Sequence, residues 1–190
     1  MSEAGFRRGL RSAVRGLYSK AISEAQFIDA MQSTIARNLT VAWNEGAKDC
    51  GIAPDELSEA EIAARDEFIE RQYSFISGFG DAIAEDGENR LRDLYNRVEY
   101  WIERYPEMRA NGHAMACADE KAEFELGRTK EHCRTCIGLN GRVYRNSVWV
   151  ANNAVPPHNW NFECRGGCQC RLKSTNKPVT RGRFPVGLLR

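Results

Sequence analysis

Five cysteines crowd the C-terminal third of the chain, as Cys133-x2-Cys136 and then Cys164-x3-Cys168-x-Cys170. Two short-spaced cysteine groups separated by a loop are how a chain grips one tetrahedral metal ion, usually zinc. A C-x2-C turn delivers two thiolates from one knuckle, and Cys164 with one or both of Cys168 and Cys170 completes the set. In a strand, residues two apart share a face, so Cys168 and Cys170 can both face the ion. The spacing points to Cys133, Cys136, Cys164 and Cys170 as ligands, with Cys168 the alternative for the last place. His158, in the loop approaching the second group, and His132, beside Cys133, are reserve ligands.

The role expected of that ion is structural. A catalytic zinc keeps an open position and a nearby proton carrier. Here cysteines saturate the shell, and the nearby acids are only Glu131 and Glu163. A zinc deaminase needs a glutamate just after its first ligand, and His113-Ala114-Met115 has none. G-x-S-x-G, a phosphate loop, H-E-x-x-H and a Cys–His–acid set are also missing from the sequence, so no enzyme is expected. The module carries little apolar mass for its size, and metal binding would supply its folding energy.

Seven cysteines in 190 residues invite a disulfide reading. Yet the N-terminus lacks the apolar core of a secretory signal, and no apolar run nears the roughly 20 residues of a membrane helix. The expected compartment is therefore the cytoplasm of the producing cell, where cysteines argue for metal. Cys50 and Cys117 fall in segments read as helical, and are taken as buried thiols acting as small apolar residues.

The net charge of +1 hides a strong polarity. Residues 1–20 carry five basic and one acidic side chain, residues 21–126 ten and 23, and residues 127–190 twelve and two. Such segregation suggests ends that face something anionic. The alternative is that the basic tail packs on acidic helices of its own or a neighbouring subunit.

Before the cysteines, the pattern is helical. Phe6, Leu10, Val14 and Leu17 give the basic arm helical spacing, weakened by Gly5, Gly9 and Gly16, so it is expected to order against a partner. Ser23-Glu24-Ala25-Gln26 is a capping box, followed by Phe27, Met31, Ile35, Leu39 and Trp43 along one face. Gly46 and Gly51 bracket its end. A second box, Ser58-Glu59-Ala60-Glu61, opens a stripe of Ile62, Ile69, Tyr73, Ile76, Phe79 and Ile83, in which Gly78 and Gly80 permit a bend or a close approach. Asp86-Gly87-Glu88-Asn89 reads as a turn. Leu91, Leu94, Tyr95, Val98, Trp101, Ile102 and Tyr105 make a wide buried face that Pro106 ends or kinks. Residues 107–126, rich in Ala and Glu, read as mostly helical with a break at Asn111-Gly112.

After Gly127 the helical period stops. Short strands are expected around Arg142–Tyr144 and Gln169–Lys173, a helical turn over Ser147–Ala151, and an extended tail over Lys177–Pro185. The fold class is thus mainly α (α+β): amphipathic helices followed by a small zinc-binding module with a short β-hairpin. The organisation reads as a basic arm (1–22), a helical domain (23–126), a Cys-rich module (127–175) and a basic tail (176–190).

The module also resembles a known family. Cys-x2-Cys is followed by Leu139-Asn140-Gly141-Arg142-Val143-Tyr144, then Trp149, Pro156-Pro157, and Cys164-Arg165-Gly166-Gly167-Cys168-Gln169-Cys170-Arg171-Leu172. This is similar to the C-terminal signature of tailed-phage minor head proteins, the Mu protein F-like head morphogenesis family. The commoner pattern has a His-Pro pair before a C-R-C, and Cys164 stands roughly in that histidine's place. The resemblance covers about residues 124–185. The chain is short for such a protein, so a trimmed or split version is expected.

The resemblance implies a structural component of the virion, present in several copies at the head or portal vertex after assembly in the host cytoplasm. It implies partners in the portal protein or major capsid protein, and no membrane. The basic module would face packaged DNA, with phosphate contacts from Arg128, Lys130, Arg134, Arg142, Arg145, Arg165, Arg171, Lys173, Arg181 and Arg183. The alternative is a zinc-containing nucleic-acid-binding protein outside any virion.

Overall fold

The structure, a computed structural model, describes residues 3–84, 91–129, 131–165 and 167–189. The turn expected at Asp86–Asn89 and the contact expected of Lys130 lie outside them. The described elements are helices α1 (Glu3–Tyr18), α2 (Glu24–Lys48), α3 (Glu59–Tyr73), α4 (Ile76–Ala84), α5 (Leu91–Ile102) and α6 (Arg104–Ala116), then β1 (Lys121–Glu125), α7 (Arg134–Leu139), β2 (Val143–Arg145), α8 (Asn146–Ala151), β3 (Arg171–Ser174) and a 3-10 turn over Val186–Leu188. No helix is long and apolar enough to cross a membrane among the described residues. The chain forms two compact units: residues 1–42 with 62–105, and residues 43–61 with 106–190.

The first unit is helical. Its capping box forms, with Ser23 and Gln26 exchanging backbone-to-side-chain bonds of 2.9 and 3.3 Å; the second box also forms, Ser58 and Glu61 bonding in the same way within the 43–61 segment of the other unit. The expected stripe of the second box is split between two helices, α3 and α4. Ile62 turns out exposed, while Phe68 is buried in its stead. The core joins Phe27, Phe79 and Trp101, with Phe79 6.1 Å from Phe27 and 5.5 Å from Trp101 between ring centroids.

The basic arm needs no partner to bury its apolar stripe. As α1, it covers Phe6, Leu10, Val14 and Leu17, packing against α4 and α5. Its cationic face is tied down too: Arg7 and Arg11 grip Glu99 at 3.0 and 2.8 Å.

The second unit holds the sheet. Its order is β2-β1-β3, antiparallel throughout. The two strands expected from the sequence form within a residue or two of their places, but each pairs with β1 rather than with the other. β1 itself corrects the helical reading of 107–126. Lys121, Glu123 and Glu125 alternate with inward-facing Ala122 and Phe124, a period of two hidden inside helix-favouring residue types.

The break read at Asn111-Gly112 is a helix crossing. Gly112 lies in mid-α6 against the Trp43 backbone, and a Cβ there would stand 2.5 Å from the Trp43 carbonyl oxygen. Gly46 meets the backbone of Arg109 in the same way. The core of this unit is aromatic: Phe124, Tyr144, Trp149 and Phe162 are buried with Cys136, Cys168 and Cys170, and Phe184 packs against them. Phe124 and Phe184, from outside residues 127–175, thus add apolar surface to the module. Trp149, fully buried, also donates its Nε1 proton to the Ala122 carbonyl at 3.2 Å.

Candidate metal centre

Cys133 caps α7. Its backbone is extended (φ −69°, ψ 162°) and its sulfur accepts the Cys136 amide at 3.5 Å. The knuckle is thus the first turn of a helix, where exposed amides favour negative charge. At the other end of α7, Asn140 donates its amide to the Cys136 carbonyl at 3.0 Å. Gly141, at φ +74°, then reverses the chain and donates to the Phe124 carbonyl at 2.9 Å. The Leu139-Asn140-Gly141-Arg142 turn fixes Cys136 against β1, and glycine suits the left-handed backbone required there.

The second cysteine group is stitched to the first. Thr135 Oγ1 accepts the Glu163 amide at 3.2 Å, and a Glu163 carboxylate oxygen accepts the Arg134 amide at 2.9 Å. These bonds carry Cys164 to the knuckle. On the opposite side, Gly127 lies so close to the Gln169 backbone that a Cβ would overlap it. That approach lets the Gly127 amide bond to Cys170 sulfur. The His158 amide reaches Cys168 sulfur, and also donates to the Cys168 carbonyl at 3.3 Å.

The result is one cluster of five sulfurs. Cys133, Cys136 and Cys164 lie within 4.8 Å of one another, and so do Cys136, Cys168 and Cys170. Cys136 belongs to both triads. The structure therefore brings all five expected ligands together, and gives Cys168 and Cys170 equal claims. Neither His158 nor His132 belongs to a ligand group among the described residues. Cys136, Cys168 and Cys170 are buried, whereas Cys133 and Cys164 are half-buried.

So many thiols in one place cannot all ionise alone. Hydrogen bonds from Cys136 and Cys170 hold Cys168 down to about 2. Cys136 is pushed up because it gives its proton to Cys168 and Cys170. Burial and the Cys168 charge raise Cys164 to about 12. At Cys133 burial pushes upward, but amide and thiol donors from Cys136 and Cys164 outweigh it and the net shift is down. Cys170 rises, although its bond from Cys136 opposes this, because it donates to Cys168 and is buried. A divalent cation would replace those shared protons. The donor set, with backbone amides aimed at its sulfurs, can hold such an ion.

Several of the basic residues expected to meet phosphate already have protein partners. Arg171 and Lys173 pair with Glu125 at 2.8 and 3.1 Å, and Arg145 with Asp119 at 3.4 Å. Arg142 donates to the Gly138 carbonyl at 2.7 Å. Arg165, Arg181 and Arg183 are exposed. Part of the basic C-terminal charge is thus met by acidic strand β1, with Lys177 held to Glu123 at 2.6 Å.

Sequence reasoning missed Gly127 and Thr135, whose roles depend on backbone approach and a hydroxyl bridge rather than a pattern. It also misread two cysteines. Cys50 and Cys117 are a disulfide, with Cα atoms 5.6 Å apart and a sequence separation of 67. The α2–α6 crossing at Gly46 and Gly112 brings them together. Comparison of the chain with protein-family models, curated proteins and solved structures gives no match.

Proposed function

We propose that the chain is a minor head protein of a tailed-phage virion, and that its cysteine cluster is a structural zinc site. The supporting observation is that the residues of the resemblance act as one unit. The Leu139–Tyr144 turn and strand seat Cys136, the one sulfur common to both triads. Zinc is the ion that best suits an all-thiolate tetrahedral site with no need for redox chemistry. A shell closed by cysteine leaves no position for substrate, which favours a structural role over catalysis. In this reading the protein sits at the head or portal vertex, docked on the portal or major capsid protein, with Arg165, Arg181 and Arg183 toward packaged DNA.

The test is mass-spectrometric quantitation of this protein in density-purified particles, against the portal and major capsid proteins. A low, fixed ratio near that of the portal supports the proposal. A ratio near that of the major capsid protein would make it a shell component. Absence from the particles, together with salt-dependent DNA binding, would select the nucleic-acid-binding alternative. For that alternative, neutralising Arg165, Arg181 and Arg183 should reduce the log–log salt slope by up to about 0.9 for each phosphate left without its arginine.

A further inference from the structure

Away from the five-cysteine cluster, the second unit gathers another set of soft donors. Cys50 Sγ, His113 Nδ1 and Cys117 Sγ all lie within 4.8 Å of one another. His113 Nδ1 is 3.3 Å from Cys50 sulfur and 4.0 Å from Cys117 sulfur. His113 and Cys117 are four residues apart at the end of α6, on one face. Cys50 follows the end of α2. The crossing that brings them together is fixed by backbone contact at Gly46 and Gly112, so the donors are held by rigid elements rather than by a loop.

Three further features suit a cation. Both helices present their C-terminal ends here, where the aligned carbonyls favour positive charge. The carbonyls of Gly46 and His113 lie 3.9 and 3.4 Å from Cys50 sulfur. Those carbonyls disfavour two free thiolates, but not thiolates neutralised by a divalent ion. Finally, Cys50 and His113 are half-buried, so reductant and ion can reach them.

We propose that Cys50, His113 and Cys117 are a redox-gated metal site: a disulfide when oxidised and, once reduced, a three-ligand site for a soft divalent cation such as zinc. A dithiol supplies the two electrons and two protons. Its thiolate attacks one sulfur, the Cys50–Cys117 bond breaks, and the dithiol leaves as its own disulfide with two protein thiols behind. The cation then displaces both thiol protons to solvent, while neutral His113 donates its Nδ1 lone pair. The set of two sulfurs and one nitrogen matches zinc, and leaves its fourth position to water or an added ligand. The proposal is independent of the five-cysteine reading, because none of its donors belongs to that cluster.

The experiment measures zinc per chain on the full-length protein, loaded with zinc alone and desalted, with and without prior reduction under anaerobic conditions. Reduced wild type should carry one equivalent more than the oxidised protein. His113→Gln should lose that extra equivalent after reduction while keeping the zinc of the five-cysteine cluster. The Cys50→Ala/Cys117→Ala double variant should match it in both states, which covers the case in which His113→Gln misfolds. Cobalt should report the same difference as thiolate-to-metal absorption that appears on reduction of wild type only. Equal zinc content in reduced wild type and in the variants would overturn the proposal.

Discussion

Phe184 stands edge-on to Trp149, with ring centroids 5.4 Å apart and planes at 88°. The same ring meets Tyr144 at 5.2 Å, so the tail supplies a wall of the core. Neighbouring bonds hold it there: Thr180 exchanges hydrogen bonds of 2.8 Å with the Val143 backbone, and the Leu188 carbonyl accepts from Thr135 at 2.6 Å. Phe184→Ala should lower the unfolding free energy of this unit by about 2–3 kcal/mol. Urea denaturation would measure it, and an unchanged midpoint would show that the ring contributes nothing.

Cys136 is the only sulfur shared by the two triads. On the zinc reading proposed above, Cys136→Ser should strip the ion and open residues 127–175 to protease. Cys168→Ser and Cys170→Ser, which each leave the Cys133–Cys136–Cys164 triad whole with one further thiol beside it, should retain an ion. Zinc content and limited proteolysis decide the matter. Equal losses for all three variants would mean that the sulfurs are equivalent. A chelator should act on wild type as Cys136→Ser does, because the binding energy of such an ion is folding energy.

Gly112 has no room for a methyl group, since the added carbon would stand 2.5 Å from the Trp43 carbonyl oxygen. Gly112→Ala should cost about 1–3 kcal/mol, as overpacking does elsewhere. That is opposite in sign to the usual gain for replacing glycine within a helix. Thermal denaturation distinguishes them: a raised midpoint would refute the tight crossing.

Burial pushes the Glu99 carboxyl upward, but hydrogen bonds and charge from Arg7, then Arg11, outweigh it and hold the group below its ordinary 4.5. A folded value below the unfolded one adds stability that is fully present above the unfolded value. It is lost as pH falls through the folded value. Acid unfolding of the helical unit should thus steepen below about pH 4.5. In Glu99→Gln the curve should flatten there, while differing little in shape near neutrality. Identical acid profiles would mean that Glu99 plays no part in acid unfolding.

Local signals read correctly from sequence. The pairs Ser23/Gln26 and Ser58/Glu61 form because a cap needs only residues three apart. Short spacing sets the cysteines within each group, and the Glu163 bonds to Arg134 and Thr135 join the two groups. Errors arose where partners are distant. β1 was hidden because Ala and Glu favour helix, and only pairing with residues 143–145 and 171–174 makes a strand of them. Gly112 looked like punctuation because its reason for being glycine is Trp43, far away in sequence. Cys50 and Cys117 carry no local pattern at all, and the compartment argument pointed away from a bond between them.

The interleaving of the two units has a consequence for synthesis. Every residue of the helical unit has been made once Tyr105 emerges, so that unit can close early. The other unit begins at Trp43 but cannot seal until β3 and Phe184 arrive. Cys50 waits for Cys117, 67 positions later, and the Cys133–Cys136 knuckle waits for Cys164, Cys168 and Cys170. The order of synthesis thus leaves these thiols without their partners while the chain grows, so the redox state met at the ribosome bears on when the Cys50–Cys117 bond closes.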